Sequence, residues 1–241
     1  SDLAAMLVRP EFLFVTDTFE PDPARAGAWR LGAHAKAARL SFFLWNTTPD
    51  ELLLAAADSG ELATESGLAR QADRLLASPR LADGVRAFFT DMLALEAFET
   101  LQKDSVIYPA FSLAASDQAR EQVLRTVLDH VVARHGDYRE LFTSRRTVMS
   151  ADLGPLYRVP VSEPRGWEPF EFPAGDPRVG LQSLVGFAAL YSHPGRSSAT
   201  LRGKAIREIL MCQKVPDPPA AVDFTLVSDN HNPIYKTARQ R

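Results

Sequence analysis

Apolar residues recur three or four positions apart over most of the chain, which is the spacing of one buried helix face. The clearest stripes lie within residues 33–45, 64–77, 79–95 and 116–135. Two of them consist of Leu68, Ala72, Leu75 and Leu76, and of Val85, Phe88, Phe89, Met92 and Leu93. Each stripe marks a helix face that packs against a partner surface. The pattern therefore predicts a mainly α-helical protein in which these side chains belong to the core and not to a cofactor site.

Helix start and stop signals divide this pattern into short helices. Residues 48–51, with the sequence Thr-Pro-Asp-Glu, form a strong helix start directly after the stripe at 33–45, and Gly60 supplies the next stop. We therefore expect two antiparallel helices joined by a tight turn. Further short helices are predicted near the start of 1–14 and at 138–144, 151–157, 180–191 and 200–211. The expected fold is a multi-helix domain of orthogonal or bundle-like packing.

Two segments interrupt the helical pattern. Residues 16–27 combine prolines with acidic residues, a composition that favours a surface loop. Residues 160–177 are rich in proline and contain Trp167, Phe170 and Phe172, which favours an ordered, extended arm or a small hairpin. These breaks predict four parts: a helical domain at 1–159, a Pro/aromatic-rich arm at 160–179, a C-terminal helical segment at 180–219 that packs on the first domain, and an extended tail at 220–241 that leads to a further domain.

Length, composition and charge narrow the classes of function. The 241 residues are 46% hydrophobic, enough for one sizeable core or two small ones. A net charge of −3 gives no general attraction to nucleic acid. No stretch approaches the roughly 20 apolar residues that cross a bilayer, so no membrane-spanning segment is predicted. The chain begins at Ser1 without an initiator methionine and ends at Arg241 in a polar segment, so we expect it to be part of a longer protein.

Cys212 is the only cysteine of the sequence. It excludes an internal disulfide and a cysteine-based zinc site within this chain. Because a lone cysteine usually packs as a small apolar residue, we expect a buried thiol.

The densest group of polar residues lies at 192–204. It combines small hydroxyl residues, a glycine and three cations at the start of a predicted helix, a composition that favours binding of a carboxylate or phosphate. The candidate binding residues are His193, Arg196, Ser198, Thr200, Arg202 and Lys204. The alternative is structural: Ser198 or Thr200 caps the helix, while the arginines pair with carboxylates elsewhere. The spacing of a nucleotide-binding loop is absent, so a triphosphate site is not predicted.

The histidines do not form a recognisable catalytic or metal-binding pattern. His193 has the chemistry of a base, a metal ligand or an axial haem ligand, but no second histidine stands at ligand spacing from it. For His34, His130 and His135 we expect ordinary surface or capping positions. No serine lies in a hydrolase motif, and no metal site is predicted within this chain. Catalytic residues stay unassigned.

Two motifs resemble one family. The sequence at 192–224, SHPGRSSATLRGKAIREILMCQKVPDPPAAVDF, resembles the family pattern H-P-x-R-[ST]-S-x-x-x-R-G-K with its proline-rich exit, and RLSFFLWNTTPDELLLAA at 39–56 resembles R-L-S-[YF]-F-L-W-x-x-x-P-D. Residues 87–95, 141–146 and 178–181 also fit. The family consists of uncharacterised helical domains in large exported proteins of planctomycetes, myxobacteria and other proteobacteria, usually beside c-type cytochrome domains.

The resemblance implies an exported, periplasmic parent protein. In such proteins the segment that resembles 236–241 is typically followed by a haem-attachment motif, so a c-type haem is expected downstream and none is expected to be bound covalently in this chain. Cys212 then gains a second interpretation, as one half of a disulfide to another part of the parent protein. Arg39 and Asp50, both within the shared motif, are candidates for a structural ion pair.

Three hypotheses of function follow from the resemblance. The leading one is a non-catalytic helical module that docks a cytochrome c-like domain through residues 193–204 and forms a partner or substrate surface. The alternative is the substrate-binding part of a haem-linked periplasmic oxidoreductase, in which Arg196, Arg202 and Lys204 hold an anionic substrate. In the third, His193 ligates the haem iron of the neighbouring domain.

Overall fold

The structure, a computed structural model, describes residues 2–217 and Ile234. This part of the chain is mainly α-helical, as predicted, and its strands form two small antiparallel sheets. The chain divides into two compact units, Ser1–Phe88 and Phe89–Arg241. This division falls inside a helix, and the boundary expected near residue 160 stays a prediction. No helix among the described residues combines the length and the apolar character needed to span a membrane.

Unit 1 packs short helices beside a small hairpin. Its elements are α1 (Asp2–Leu7), α2 (Pro10–Leu13), β1 (Phe19–Pro21), β2 (Trp29–Leu31), α3 (Ala33–Trp45), α4 (Glu51–Asp58), a 3-10 turn (Glu61–Ala63), α5 (Glu65–Leu76) and the first part of α6 (Leu81–Met92). β1 and β2 pair antiparallel with Glu20 opposite Arg30. Glu20 and Arg30 form an ion pair with a nitrogen–oxygen distance of 2.7 Å, which joins the two strands. The prediction of a surface loop at 16–27 is therefore wrong in part, because this segment contains β1.

The core of unit 1 surrounds Trp45, which is 3% exposed. Its indole Nε1 donates a hydrogen bond to the carbonyl oxygen of Leu75 at 2.9 Å. The guanidinium groups of Arg74 and Arg80 lie 5.7 and 5.2 Å from the centre of the ring, close enough for cation–π attraction. A side chain at Gly84 would collide with the backbone of Leu44, so the close approach of α6 to α3 requires glycine here.

The predicted ion pair between Arg39 and Asp50 is wrong. Asp50 accepts a hydrogen bond from the backbone of Leu53, which caps α4, and its two oxygens also accept hydrogen bonds from Arg74 at 2.7 and 2.9 Å. Arg39 pairs with Asp17 at an exposed position. Arg39 lies in the middle of α3 and Asp50 directly before α4, whereas the fold brings Arg74 of α5 to the start of α4.

Double-mutant cycles measured by chemical denaturation distinguish the two pairings. We expect Asp50→Ala to destabilise the protein by about 1 kcal/mol or more, because α4 loses its cap and Arg74 its partner. Coupling energy should be found between Asp50 and Arg74 and be absent between Asp50 and Arg39. Coupling to Arg39 alone would contradict the structure.

The hydrogen bonds from Arg74 lower the pKa of Asp50. The stabilisation that Asp50 provides should therefore be complete above the pKa of an unfolded aspartate, about 3.9, and be lost as the pH falls from there through the lower pKa of the folded state.

Unit 2 is built around α7, its longest helix. Its elements after α6 are a 3-10 helix (Leu95–Thr100), α7 (Leu113–Val127), a π-helix (Leu128–Ala133), a 3-10 helix (Tyr138–Phe142), β3 (Arg146–Met149), α8 (Gly154–Tyr157), β4 (Glu168–Glu171), a 3-10 turn (Leu181–Ser183), α9 (Val185–Leu190), α10 (Ala199–Ala205) and a π-helix (Ile206–Leu210). The proline-rich arm contributes β4, which pairs antiparallel with β3. The helices predicted at 116–135 and 200–211 both change to π-helical geometry before they end.

A buried hydrogen-bond network joins four elements of unit 2. The hydroxyl of Tyr157 donates to Gln122 Oε1 at 2.6 Å and accepts from the backbone N–H of Val185 at 2.7 Å. Gln122 in turn donates through Nε2 to the carbonyl oxygen of Val148 at 2.9 Å. Gln122 is 0% and Tyr157 5% exposed, and burial raises the pKa of Tyr157 far above its usual value. The network therefore connects α7, β3, α8 and the start of α9 through two buried side chains.

Removing the Tyr157 hydroxyl tests how much unit 2 depends on this network. We expect Tyr157→Phe to lower the free energy of unfolding by about 2–4 kcal/mol, because two buried groups, Gln122 Oε1 and the Val185 N–H, lose their partner. Thermal and chemical denaturation measure the change. Tyr138→Phe is the matched control, since Tyr138 is 47% exposed. Equal stability of the two variants would contradict the proposed importance of the network.

Candidate functional site

Unit 2 contains a partly enclosed, mainly apolar cavity of about 210 Å³. Its wall is formed by α7, α8, α9, the 3-10 helix Leu95–Thr100 and the loop that follows it, and the first turn of α10 contributes to the rim. Three aromatic side chains, Phe98, Tyr108 and Phe111, line the cavity. A concave apolar site with few polar groups is the usual form of a small-molecule binding site.

The cavity exists because small side chains stand where α7 and α9 approach each other. A side chain at Gly186 would lie only 2.8 Å from the carbonyl oxygen of Ala119, so the two helix backbones are in close contact there. Alanines line the adjoining space from both helices. They are Ala115 and Ala119 on α7 and Ala188 and Ala189 on α9. Their methyl groups leave unfilled the volume that larger apolar residues would occupy.

Lys103 holds the turn at the cavity rim. Its ammonium donates hydrogen bonds to the Ser192 carbonyl oxygen at 3.2 Å, to Ser192 Oγ at 2.8 Å and to the His193 carbonyl oxygen at 3.3 Å. These three contacts occupy all three of its protons. Burial lowers the pKa of Lys103. Lys103 therefore contributes positive charge to the rim, but it has no further proton to donate to a ligand.

Backbone hydrogen bonds also fix this turn. The Asp104 N–H donates to the Pro194 carbonyl oxygen at 3.0 Å, and His193 and Arg196 form an isolated antiparallel bridge. Ser192 Oγ donates to the carbonyl oxygen of Ala189 at 3.0 Å. The motif His-Pro-Gly-Arg thus forms a turn anchored both to the loop after the 3-10 helix and to α9.

Arg202 is the cation of the predicted cluster that reaches the cavity. It lines the rim and is half-buried. Its guanidinium makes no hydrogen bond or ion pair with any other described residue. Within the described part of the chain, Arg202 is therefore a half-buried cation without a partner beside an apolar cavity, and its planar guanidinium has the geometry that binds carboxylates.

The structure separates the other candidates of the cluster. Ser198 is 8% exposed and caps α10 by accepting a hydrogen bond from the Leu201 N–H at 3.1 Å. Thr200 is exposed, and the Lys204 ammonium lies 3.9 Å from Glu208, so neither lines the cavity. Arg196 interacts with other residues of the protein. Of the six residues proposed to bind an anion, the geometry therefore brings one to the cavity.

Sequence reasoning did not identify Lys103, Tyr108 or Ser116 as polar residues of the site, whereas Ser192 and Ser197 lie within the predicted cluster at 192–204. Lys103 and Tyr108 lie in a segment without helical periodicity, and Lys103 stands between Gln102 and Asp104, so no local signal marks it as part of a site. Ser116 also lines the cavity. It is 5% exposed, and its hydroxyl has no hydrogen-bond partner among the described residues.

One further expectation is wrong in part and another is wrong. His130, expected at a surface or capping position, is 6% exposed and so not a surface residue; its Nε2 hydrogen-bonds with the Asp137 carbonyl oxygen at 2.8 Å, and its ring fills the space that a side chain at Gly136 would need. Cys212 is exposed and not buried, at the end of the π-helix that follows α10. Among the described residues, no group of three or more histidine, cysteine or acidic side chains is arranged to hold a metal ion.

Two protein-family models match the sequence. PSD4, described as a protein of unknown function (DUF1592), matches residues 31–159, and PSCyt3, also described as a protein of unknown function (DUF1588), matches residues 178–241. The segment 160–177, which contributes β4, lies between the two matches. No curated protein and no solved structure matches the chain. Because the first match covers more than half of the 241 residues, the chain belongs to the PSD4 family of proteins of unknown function (DUF1592).

Proposed function

We propose that this chain is a ligand-binding module of a larger cytochrome-containing protein, and that the cavity of unit 2 binds a small organic anion. The observation that carries the proposal is Arg202, a half-buried cation without a partner in the described chain, at the rim of an apolar cavity of about 210 Å³. The cavity would bury the apolar part of the ligand, and Arg202 would bind its charged group.

The charges around the cavity favour an anion over a neutral or cationic ligand. Two cationic residues, Lys103 and Arg202, belong to the described wall, and no carboxylate does. All three protons of Lys103 are hydrogen-bonded to the turn at Ser192 and His193, so of the two cations only Arg202 has donors without a partner among the described residues. The planar guanidinium forms paired hydrogen bonds with a carboxylate, and such charge-assisted bonds are stronger than neutral ones.

The family names support the wider context. The name PSCyt3 contains the abbreviation for cytochrome, and its match follows the PSD4 match along the chain. We place a c-type haem in a neighbouring part of an exported, periplasmic parent protein. In this arrangement the present chain holds an anionic substrate, while the haem supplies electron-transfer chemistry. No residue of this chain is assigned a catalytic role.

Docking of the cytochrome domain is a second role for the same region. The outer side of α10 carries Thr200, Gly203 and Lys204, all of which are exposed, and this is the observation that favours it. The two roles are compatible, because Arg202 lines the cavity while these three residues do not. Ligation of the haem iron by His193 stays a prediction, and it would require the half-buried ring to reach a neighbouring domain.

Substitution of Arg202 tests the anion site. We expect Arg202→Gln to weaken binding of small carboxylates by about tenfold or more, because a charge-assisted hydrogen bond is lost. Ligand-observed NMR with hexanoate and phenylacetate, each compared with its uncharged primary amide, measures the effect. The amides should bind weakly to both proteins and be indifferent to the substitution.

Lys204→Gln is the matched control, because it also removes one cation of α10 but lies outside the cavity and beside Glu208. Thermal unfolding establishes that both variants are folded. Equal binding of carboxylates and amides, or equal losses in the two variants, would reject the anion site at Arg202.

A further inference from the structure

We infer that the ligand is a small aromatic monocarboxylate, an inference that rests on the proposed function because it requires the anion site at Arg202. Three features of the cavity support this class of ligand. They are its volume, the aromatic side chains of its wall and the number of free cationic donors at its rim.

The volume limits the ligand to about one ring. An engineered apolar protein cavity of about 150 Å³ holds benzene. The present cavity, at about 210 Å³, therefore has room for a six-membered ring with a short acidic side chain. A two-ring acid or a long-chain fatty acid would extend into solvent and lose the advantage of burial.

The aromatic wall favours a ring over an aliphatic chain. Phe98 is 6% exposed and is fixed in the 3-10 helix, and Tyr108 and Phe111 in the following loop are half-buried. Aromatic rings attract one another through their quadrupoles beyond the effect of buried area alone. The hydroxyl of Tyr108 makes no hydrogen bond with another described residue, so it is free to contact a polar substituent on the ring.

The rim has hydrogen-bond donors for one negatively charged group of a ligand. Among the described residues Arg202 has no partner for its donors, whereas the three protons of Lys103 are bound to the turn at Ser192 and His193. The rest of the wall is apolar apart from serine and tyrosine hydroxyls. A second carboxylate placed there would lie near the positive charge of Lys103 but would find no free cationic donor, so the cost of its burial would be only partly compensated. The site therefore fits a monocarboxylate better than a dicarboxylate.

A comparison of three probes tests the inference by titration calorimetry. Phenylacetate is the aromatic monoanion, cyclohexylacetate has the same number of non-hydrogen atoms without aromaticity, and 1,4-phenylenediacetate adds a second charge. We expect phenylacetate to bind roughly three- to tenfold more tightly than cyclohexylacetate, and the dianion to bind more weakly than either.

Two variants, with one matched control, connect this preference to the cavity. Ala189→Leu should abolish binding of both monoanions by filling the space, whereas Ala114→Leu, at an exposed position of the same α7 that carries Ala115, should leave binding unchanged. Because Ala189→Leu introduces bulk near α7, thermal unfolding establishes whether it folds. Phe111→Leu, at a half-buried loop position, is the independent variant and should remove the preference for phenylacetate over cyclohexylacetate.

The outcomes separate this inference from the proposed function. Binding of cyclohexylacetate that equals or exceeds that of phenylacetate, with the dependence on Arg202 retained, would overturn the aromatic preference and leave the anion site standing. Binding of neither monoanion would overturn both. A preference for phenylacetate that is lost in Phe111→Leu supports the inference.

Discussion

The hydroxyl group of Tyr157 connects the elements on which the cavity depends. It bonds to Gln122 on α7 and to the first residue of α9, while Gln122 bonds to β3. These bonds fix the spacing of two helices that contribute four alanines, one serine and one valine to the cavity wall. If this spacing were not fixed, the two helices would move closer together and fill the cavity, because empty apolar volume is unfavourable. The satisfied polar network inside the unit therefore provides a physical basis for the open apolar space beside it.

Two cations stand at the rim of the cavity, and they differ in their hydrogen bonds. Lys103 satisfies carbonyl groups of the turn at 192–193 and is itself fully hydrogen-bonded. Arg202 lies on α10, whose cap is Ser198, and its guanidinium has no partner among the described residues. The polar cluster seen in the sequence is therefore partly scaffold, and we propose that Arg202 belongs to a binding site. Where a cation is half-buried without a partner, an anionic ligand offsets the cost of its desolvation.

Local signals in the sequence predicted the helices well and their contacts poorly. The stripe at 33–45 predicted α3 with its observed bounds, and Asp50 caps α4 as the Thr-Pro-Asp-Glu start indicated. These features depend on residues within one or two turns. The partner of Asp50 is Arg74, which lies 24 positions away, and no local pattern distinguishes it from Arg39. Pairing of β4 with β3 likewise depends on the fold and not on the spacing of residues within the arm.

The cavity was not predictable from the sequence, because it is an empty volume that forms only where small side chains of different elements meet in the fold. Alanines on α7 and α9 look like ordinary helix-forming residues, and Lys103 lies in a loop far from 192–204 in the sequence. Of the six candidates named in the cluster only Arg202 lines the site, beside Ser192 and Ser197 of the same segment. The family match assigns the chain to a group of unknown function and so does not supply the ligand.

The central claim is that this cavity is a ligand site, and the methyl groups of its alanines report on it directly. In a methyl NMR spectrum of protein labelled with ¹³C at alanine methyls, addition of phenylacetate should shift the signals of Ala115, Ala119, Ala188 and Ala189. The buried methyls of Ala56 and Ala57 in unit 1 should stay unchanged. Unchanged signals at the four cavity alanines at saturating phenylacetate, or shifts confined to unit 1, would contradict the account.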